Sequence, residues 1–550
     1  MARRYLVTAA LPYANNVLHL GHIAGVYLPA DTYVRFLRLM GEDVVFICGS
    51  DDFGVPVTIS AQKEKLTPAQ VVDRYHELQR QVFEQFQIRF DIYSGTSTSP
   101  MHRAAAQQIF TRIRERGHLV ERDLEQFYCL SCSRFLPDRY VEGTCPVCGA
   151  AGARGDQCDT CGRDFETLQL VNPKCATCGS TPETRPSHHW FFKLDEFAPQ
   201  LEAWLSGQPH WRENVRNFSL GLVREGLEER CITRDLTWGV PVPLAAAGDK
   251  VLYVWFDAPI GYISFTQELF AARGEPESWR RYWANPDAQV VHFLGKDNII
   301  FHAVMWPAML LAHGEFNLPA NIPANEYLNY NGAKFSKSRG IGVTAAEALA
   351  QYPVDRLRYY LTAVAPEGRD SNYNEDDLVQ RNNDELSDVL GNLCHRVHTF
   401  HDKHFGGVVP PGVAADPRAL ELLARIRDTV ERWRTRLESC RFRDALAAVI
   451  DLAREGNRAF DAAEPWKTRK SDPTRCALDL GAFLELVHAL GVMLLPFLPE
   501  LAQKIVAPTA GGAAIDAARV RALGTRPLLA PGTRIVAPGI IFPRLEIPLA

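Results

Sequence analysis

Apolar and polar positions along the first hundred residues predict strands that alternate with helices. An apolar run at residues 4–11 predicts a buried parallel strand. A helical pattern follows over residues 19–41, and residues 43–54 predict a second strand that leads into a loop of carboxylates. Thr67 precedes a proline and opens a further helix. This alternation is typical of the α/β class, with a doubly wound, Rossmann-like parallel sheet.

The strand–helix pattern is interrupted once and then resumes. It breaks over residues 117–230, a mixed stretch that holds most of the cysteines, and it returns in the apolar runs at 251–262 and 290–310. From about residue 376 the chain is rich in Leu, Ala and Arg at helical spacing, which predicts a bundle. We therefore predict a parallel sheet that is split by an insertion and followed by an α-helical bundle.

Length and composition then narrow the class of protein. A chain of 550 residues is too long for one core and predicts two to four domains. Its 46% hydrophobic and 23% charged residues exclude intrinsic disorder and a collagen-like fibre. No run of 18 apolar residues is free of charges or breakers, so we expect no membrane span. The formal net charge of −5 argues against an indiscriminate nucleic-acid coat.

Paired cysteines indicate that the insertion binds metal ions. Such Cys-x-x-Cys knuckles suit tetrahedral zinc, whereas a disulfide framework would be unusual in a long chain without a credible signal sequence. We therefore expect two structural zinc ions and a reducing, cytoplasmic location. The four pairs are Cys129/Cys132, Cys145/Cys148, Cys158/Cys161 and Cys175/Cys178.

Two histidines stand where the first predicted strand meets a helix. The segment His19-Leu20-Gly21-His22 lies at the edge where α/β sheets bind ligands, and helix-start amides attract phosphate. The glycine allows close backbone approach, so both imidazoles could touch one polyphosphate. The alternative is a capping histidine beside a core histidine.

A second motif carries two lysines. In Lys334-Phe335-Ser336-Lys337-Ser338 the lysines are three apart with a hydroxyl between them, and glycines flank the segment. Such a loop can neutralise a leaving phosphate group. The alternative is a solvated, charged loop.

Together the two motifs resemble the His-Ile-Gly-His and Lys-Met-Ser-Lys-Ser signatures of class I aminoacyl-tRNA synthetases. The segments 9–22, 255–262, 293–310 and 331–340, with the four knuckles, are similar to the methionyl-tRNA synthetase family within that class. The resemblance implies activation of L-methionine by ATP, accompanied by Mg²⁺, and transfer of methionine to tRNA(Met). It implies catalytic roles for His19, His22, Lys334 and Lys337, and ATP binding by His19, Gly21, His22, Lys337 and Ser338.

Aromatic residues in these segments suit a methionine side chain, since a thioether is apolar, polarisable and favours aromatic edges. Each of them could instead belong to the core. The resemblance assigns Asp51 to the substrate α-amino group, and it adds His302 to the pocket. Where the family often has Asp-Glu-His-Gly, this chain has Asp52-Phe53-Gly54 after Asp51. The remaining pocket residues are Ala10, Leu11, Tyr13, Trp255, Ala258, Pro259, Tyr262 and Trp306.

The resemblance also implies how the cysteines group into zinc sites and which bundle residues bind tRNA. It implies nested zinc sites, with Cys145, Cys148, Cys158 and Cys161 around one ion and Cys129, Cys132, Cys175 and Cys178 around the other. In the bundle, Asn392 and Arg396 share a helix face, and with Trp466 they match positions that bind the CAU anticodon. The chain carries no segment like the family's C-terminal dimerisation module, so we expect a monomer, and we expect no DNA partner.

The predicted domains follow from these assignments. Residues 1–116 and 231–330 are the two halves of the nucleotide-binding catalytic domain, 117–230 the zinc-knuckle insertion, 331–375 the lysine loop with a stem-contact region, and 376–550 the anticodon-binding helical domain. Three other readings stay open: a cysteine-activating enzyme of the same class, a non-catalytic RNA-binding paralogue, and a zinc-ribbon nucleic-acid adaptor.

Overall fold

A five-stranded parallel sheet lies at the centre of the N-terminal part of the molecule. The computed structural model describes residues 2–155, 158, 160–161, 163, 165–333, 342–510 and 514–546. In spatial order the strands are Ala324–Asn325, Ala288–Gly295, Arg4–Ala9, Asp43–Ser50 and Ile92–Gly95. The first strand pairs in parallel with Ala288–Gly295, with Arg4 opposite Ala288 and Ala9 opposite Phe293. The two separated halves of the α/β pattern therefore form one sheet, as predicted.

Helices cover this sheet and position its carboxyl edge. The helix after the first strand begins at Leu20 and continues as Leu20–His22, the π-helical turn Ile23–Tyr27 and Leu28–Leu39. The predicted helix at Thr67 is confirmed as Pro68–Gln85, where Thr67 and Gln70 form a capping box. The other helices of this part are Val55–Glu64, His102–Glu115, Val254–Asp257, Gly261–Ala272, Arg280–Trp283, Trp306–His313, Ala345–Gln351 and Val354–Ala363.

The apolar run at 251–262 is mainly helical, which differs from the expected strand followed by a helix. Its strand is only Val251–Leu252, paired with Thr233–Arg234. Helical turns begin at Val254 and pass through Ala258–Ile260 into Gly261–Ala272. A continuous apolar run does not by itself distinguish a buried helix from a buried strand.

The insertion contains two small antiparallel sheets. Leu119–Cys129 pairs with Glu183–Phe192 over ten residue pairs, with Arg134–Phe135 and Arg230–Cys231 at the edges. Val141–Thr144 pairs with both Ala151–Arg154 and Val171–Cys175 in the second sheet. Two helices, Ala198–Ser206 and Glu213–Glu225, follow before the chain returns to the central sheet.

The C-terminal part is an α-helical bundle around the apolar helix Pro473–Leu494. Within the described residues this is the one helix long and apolar enough to cross a membrane, although the sequence pattern predicts no span. Its most apolar window is 83% buried inside the bundle. The surrounding helices are Glu375–Arg381, Asn382–Gly391 (π-helical), Asn392–Phe405, Pro417–Glu438, Phe442–Ala463, Pro465–Ser471, Pro499–Ala510 and Ala517–Ala522.

One buried arginine joins the bundle to the N-terminal part of the molecule. The Arg358 guanidinium donates to the Asp31 carboxylate at 2.8 Å, to the Phe86 carbonyl at 3.0 Å and to the Phe497 carbonyl at 2.8 Å. Asp31 belongs to the helix that follows the first strand, and Phe497 follows the core helix of the bundle. The Arg358–Asp31 pair is fully buried, so its charges rely on each other and on these carbonyls.

Candidate active site

The two histidines of the first motif stack at the start of the helix that leaves the first strand. His19 is the N-cap residue with an extended backbone, and its N–H donates to His22 Nδ1 at 3.2 Å. The ring centroids are 3.7 Å apart. A Cβ on Gly21 would stand 2.9 Å from His19 Nδ1, so a glycine at this position lets the ring lie over the helix start.

Burial makes both imidazoles neutral at ordinary pH. It lowers the pKa of His19 to about 4. Burial, with a smaller effect of His19, holds the pKa of His22 well below its usual value. The pair can therefore offer N–H groups to phosphate oxygens as hydrogen-bond donors, without a positive charge.

The lysine motif lies outside the described residues, which include neither Lys334, Lys337 nor Ser338. The described residues that follow it return to the histidines. Thr344 forms a β-bridge with His19, and the Ala345 N–H donates to the Leu18 carbonyl at 2.9 Å. The chain from Thr344 onward therefore lies beside the His19–His22 pair.

Three aromatic rings form a wall near the carboxyl edge of the sheet. Trp255 stacks on Phe301 with centroids 3.7 Å apart and planes 7° from parallel. Tyr13 meets Trp255 edge-on at 6.4 Å, and its backbone forms a bridge with Asp51. All three rings are partly exposed. Phe301 was not predicted as a pocket residue, although it lies in the 293–310 segment that resembles the family.

The polar side chains behind this wall are bonded to one another. Tyr262 O–H lies 2.8 Å from His302 Nε2, and His302 Nδ1 donates to the Asn298 carbonyl at 3.0 Å. Because Nδ1 carries the proton and burial lowers the pKa of His302 to about 4, the neutral ring accepts from Tyr262. His292, also missed, packs on Tyr262 with centroids 5.0 Å apart.

The other predicted pocket residues are placed as follows. Ala10, Ala258 and Pro259 are buried, and Leu11 is partly buried beside Gly261. Trp306 is 1% exposed and packs edge-on against Trp283 at 6.0 Å. Trp306 therefore lies deeper than the wall that Tyr13 and Trp255 form.

Asp51 is a buried carboxylate at the end of its strand. It is 3% exposed, and within the described part of the chain no cationic side chain forms an ion pair with it. Burial, then the charges of Asp257 and Asp52, holds the pKa of Asp51 well above its usual value. A ligand ammonium group would supply the missing positive charge.

The loop after Asp51 replaces a polar contact with an aromatic one. Phe53 is buried and meets Trp238 with centroids 5.5 Å apart. Trp238 Nε1 donates to the Asp52 carbonyl at 2.7 Å. The Asp52 carboxylate accepts from Ser50 and from the Ser97 N–H and hydroxyl, the latter two at 2.9 Å. These contacts hold the loop where the family often has a histidine.

The eight paired cysteines form two clusters, each with four Sγ atoms within 4.8 Å of one another. Their membership matches the nested arrangement: Cys129, Cys132, Cys175 and Cys178, and Cys145, Cys148, Cys158 and Cys161. Neighbouring sulfurs lie 3.5 to 3.9 Å apart. Zn–S bonds of about 2.3 Å in a tetrahedron require about 3.8 Å between sulfurs, so the residues fit zinc.

The three bundle residues lie near the junction of two helices. Arg396 pairs with Asp461 and stacks over Phe460, with its guanidinium carbon 4.7 Å from the ring centroid. Both partners lie near the end of Phe442–Ala463, and Trp466 begins the next helix. Trp466 is 43% exposed and Asn392 is also exposed. Trp466 is therefore a surface ring and not part of the bundle core.

Comparison with family models gives two matches that together span most of the chain. Residues 5–398 match the model described as tRNA synthetases class I (M). Residues 409–546 match the model described as the anticodon binding domain of methionyl tRNA ligase.

Individual proteins agree with these models. The chain is 48% identical over 515 residues to the methionine–tRNA ligase of Pyrococcus furiosus, covering 91% of this chain and 71% of the relative. It is 44% identical over 517 residues to that of Rubrobacter xylanophilus, covering 92% and 89%. The crystal structure of Mycobacterium tuberculosis methionyl-tRNA synthetase bound by methionyl-adenylate superposes with a TM-score of 0.80 at 29% identity, covering 98% of this chain and all of that one.

Proposed function

The chain belongs to the methionyl-tRNA synthetase family, and from this premise we infer that it is an ATP-dependent methionine–tRNA ligase. It activates L-methionine to methionyl-adenylate with release of pyrophosphate and then transfers the methionyl group to tRNA. The observation that carries this inference is the buried Asp51 carboxylate beside the Tyr13–Trp255 wall, with the stacked His19–His22 pair at the start of the helix that leaves the first strand of the same sheet.

Activation at this site depends on placement. Asp51 holds the α-ammonium group, so that the substrate carboxylate can attack the α-phosphate of ATP in line with the departing pyrophosphate. His19 and His22 donate N–H groups to phosphate oxygens from the helix start. Lys337, with Lys334, neutralises the leaving pyrophosphate. Mg²⁺ enters with ATP, held mainly by phosphates and water.

The pocket favours a thioether over a polar side chain. Because the Tyr262 proton is donated to His302 and the His302 proton to Asn298, neither group offers a free proton to the substrate. Trp255 and Tyr13 supply ring surfaces that attract a polarisable sulfur. A cysteine-activating enzyme instead grips its substrate thiol with a metal in the catalytic core, and both cysteine clusters here lie in the insertion.

The bundle recognises the tRNA. We propose that the exposed Trp466 ring stacks on an anticodon base while Asn392 and Arg396 bind neighbouring bases, with CAU as the anticodon. We also propose two zinc ions that stabilise the insertion, a cytoplasmic location in which their thiolate ligands stay reduced, and a monomeric enzyme.

The decisive experiment is exchange of labelled pyrophosphate into ATP with each of the twenty amino acids. We expect exchange with methionine and little with cysteine. Cysteine-dependent exchange would instead indicate the cysteine-activating enzyme. Absence of exchange, with tRNA binding retained, would indicate the non-catalytic paralogue or the adaptor.

Elemental analysis of the purified protein tests the metal proposal separately. Two zinc ions per chain are expected, and one or none would contradict the four-thiolate assignment of the corresponding cluster.

A further inference from the structure

A second carboxylate lies beside Asp51, and the function proposed above does not use it. Asp257 is 1% exposed and falls in the helical turn that also carries Trp255 and Ala258. The Trp255 ring of the same turn meets the Tyr13 ring edge-on at 6.4 Å, and the Tyr13 backbone forms a bridge with Asp51. Asp257 therefore lies on the element that forms the aromatic wall beside Asp51.

One oxygen of Asp257 is held and the other is free. Oδ1 lies 2.9 Å from His102 Nε2, and this histidine is fully buried. Oδ2 is buried and has no hydrogen-bond partner in the part of the chain that the structure describes. A buried carboxylate oxygen without a donor costs free energy, which a ligand N–H at this point would recover.

The hydrogen bonds behind His102 place one proton on its Nδ1. Ser264 Oγ donates its one proton to the Gly261 carbonyl at 3.2 Å, so at 2.9 Å it accepts from His102 Nδ1–H. A second proton then lies between His102 Nε2 and Asp257 Oδ1. This hydrogen bond occupies Oδ1 and leaves Oδ2 as an acceptor.

We propose that Asp257 is a second substrate-binding carboxylate, which accepts a hydrogen bond from the α-ammonium group of the amino acid together with Asp51. His102 is a positioning residue that holds Asp257 Oδ1 and leaves Oδ2 to the ligand. The ammonium group then lies between the Asp257 and Asp51 side chains. This inference rests on the proposed function, since it assigns a contact to the substrate of that reaction.

The test compares two ligands that differ only in the amine. Isothermal titration calorimetry of the full chain uses L-methionine and 4-(methylthio)butanoate, which keeps the thioether and carboxylate. The isosteric variant Asp257→Asn should bind methionine about 10- to 150-fold more weakly, the range for a charge-assisted hydrogen bond. It should bind the deaminated ligand at least as tightly as the unmodified chain does, because one repelling charge is gone.

Asp479→Asn is the matched control. Asp479 is also a buried aspartate with one paired oxygen and one oxygen without a partner among the described residues, but it lies in the bundle. We expect this variant to bind both ligands normally. Equal losses of both ligands in Asp257→Asn, or no loss of methionine, would overturn the proposal.

A second variant tests the proposal if Asp257→Asn does not fold. His102→Leu removes the hydrogen-bond partner of Asp257 Oδ1 and should weaken methionine selectively by a smaller factor, whereas a packing role predicts equal losses of both ligands. The unmodified chain separates the two proposals. If it shows no methionine binding and no methionine-dependent exchange, the proposed function fails, whereas an ammonium-selective effect limited to the variants concerns Asp257 alone.

Discussion

The amino-acid pocket and the tip of the bundle meet their ligands in opposite ways. In the pocket, Asp51 and Asp257 are buried, and among the described residues no cation forms an ion pair with Asp51 and no donor reaches Asp257 Oδ2. At the bundle tip, Trp466 and Asn392 are exposed. A small ligand with an ammonium group loses its water shell when it enters the buried pocket, and the pocket groups then replace that water. RNA bases instead stack on rings that already face solvent.

The largest expected effect concerns Lys337. Lys337 is proposed to neutralise the charge that develops on the leaving pyrophosphate in the transition state. Lys337→Ala should therefore slow methionine-dependent pyrophosphate exchange about 10²- to 10³-fold, with little change in methionine affinity. The exposed Lys63 in the same domain provides a control, and Lys63→Ala should exchange normally. Near-normal exchange by Lys337→Ala would remove this lysine from the mechanism.

Asp51 tests the buried half of the comparison. Asp51→Asn removes the proposed partner of the α-ammonium group, so the KM for methionine in the exchange assay should rise about 30- to 150-fold. The KM for ATP should change less than threefold. A parallel rise of both values would indicate a damaged site and not a lost ammonium contact.

Trp466 tests the exposed half. Loss of one stacked base costs about 1–3 kcal/mol, so Trp466→Ala should reduce tRNA charging about 5- to 150-fold while exchange without tRNA persists. Leu420 is 46% exposed on another helix of the bundle, and Leu420→Ala should leave both assays unchanged. Equal losses of exchange and charging in Trp466→Ala would favour a packing role.

A buried histidine in the bundle affects stability and not catalysis, and it shows that the bundle also contains a buried titratable group. Burial, with a smaller effect of His401, lowers the pKa of His398 to about 4, whereas an unfolded chain binds this proton near pH 6.5. The unfolded state therefore takes up more protons between these values. The contribution of His398 to stability is complete above pH 6.5 and falls by about 1.4 kcal/mol per unit as the pH drops toward 4.

Thermal unfolding between pH 7 and pH 4.5 measures this slope. His398→Leu should flatten it, and His395→Leu, an exposed position on the same helix, should not. An unchanged slope in His398→Leu would show that His398 is protonated in the native state or is not the group responsible.

The sequence predicted most reliably where local spacing sets the geometry. Cys-x-x-Cys spacing defines a knuckle, and Thr67 defines a helix start, because both depend on residues within one turn. Which knuckles share a cluster depends on the course of the chain between them. Only the family resemblance supplied that pairing before the structure brought Cys129 to Cys178.

The missed residues act across long separations in sequence. His102 begins a helix without any local motif, and it reaches Asp257 because this helix packs against the helical turns that follow Asp257. Phe301 stacks on Trp255 for a similar reason. Trp306 was selected as an aromatic residue in a matching segment, but aromatic character alone does not set depth, and its ring packs deeper against Trp283.

Arg358 limits how this chain can be divided. A fragment that ends before the bundle would retain Arg358 and Asp31 but lose the Phe497 carbonyl, and it would expose a guanidinium–carboxylate pair that is now fully buried. A separately produced bundle would keep the Phe497 carbonyl but lose the Arg358 guanidinium that donates to it. The family models place their boundary between residues 398 and 409, but the folded unit does not end there. Exchange of anticodon domains between relatives would therefore have to transplant the Val354–Ala363 helix as well.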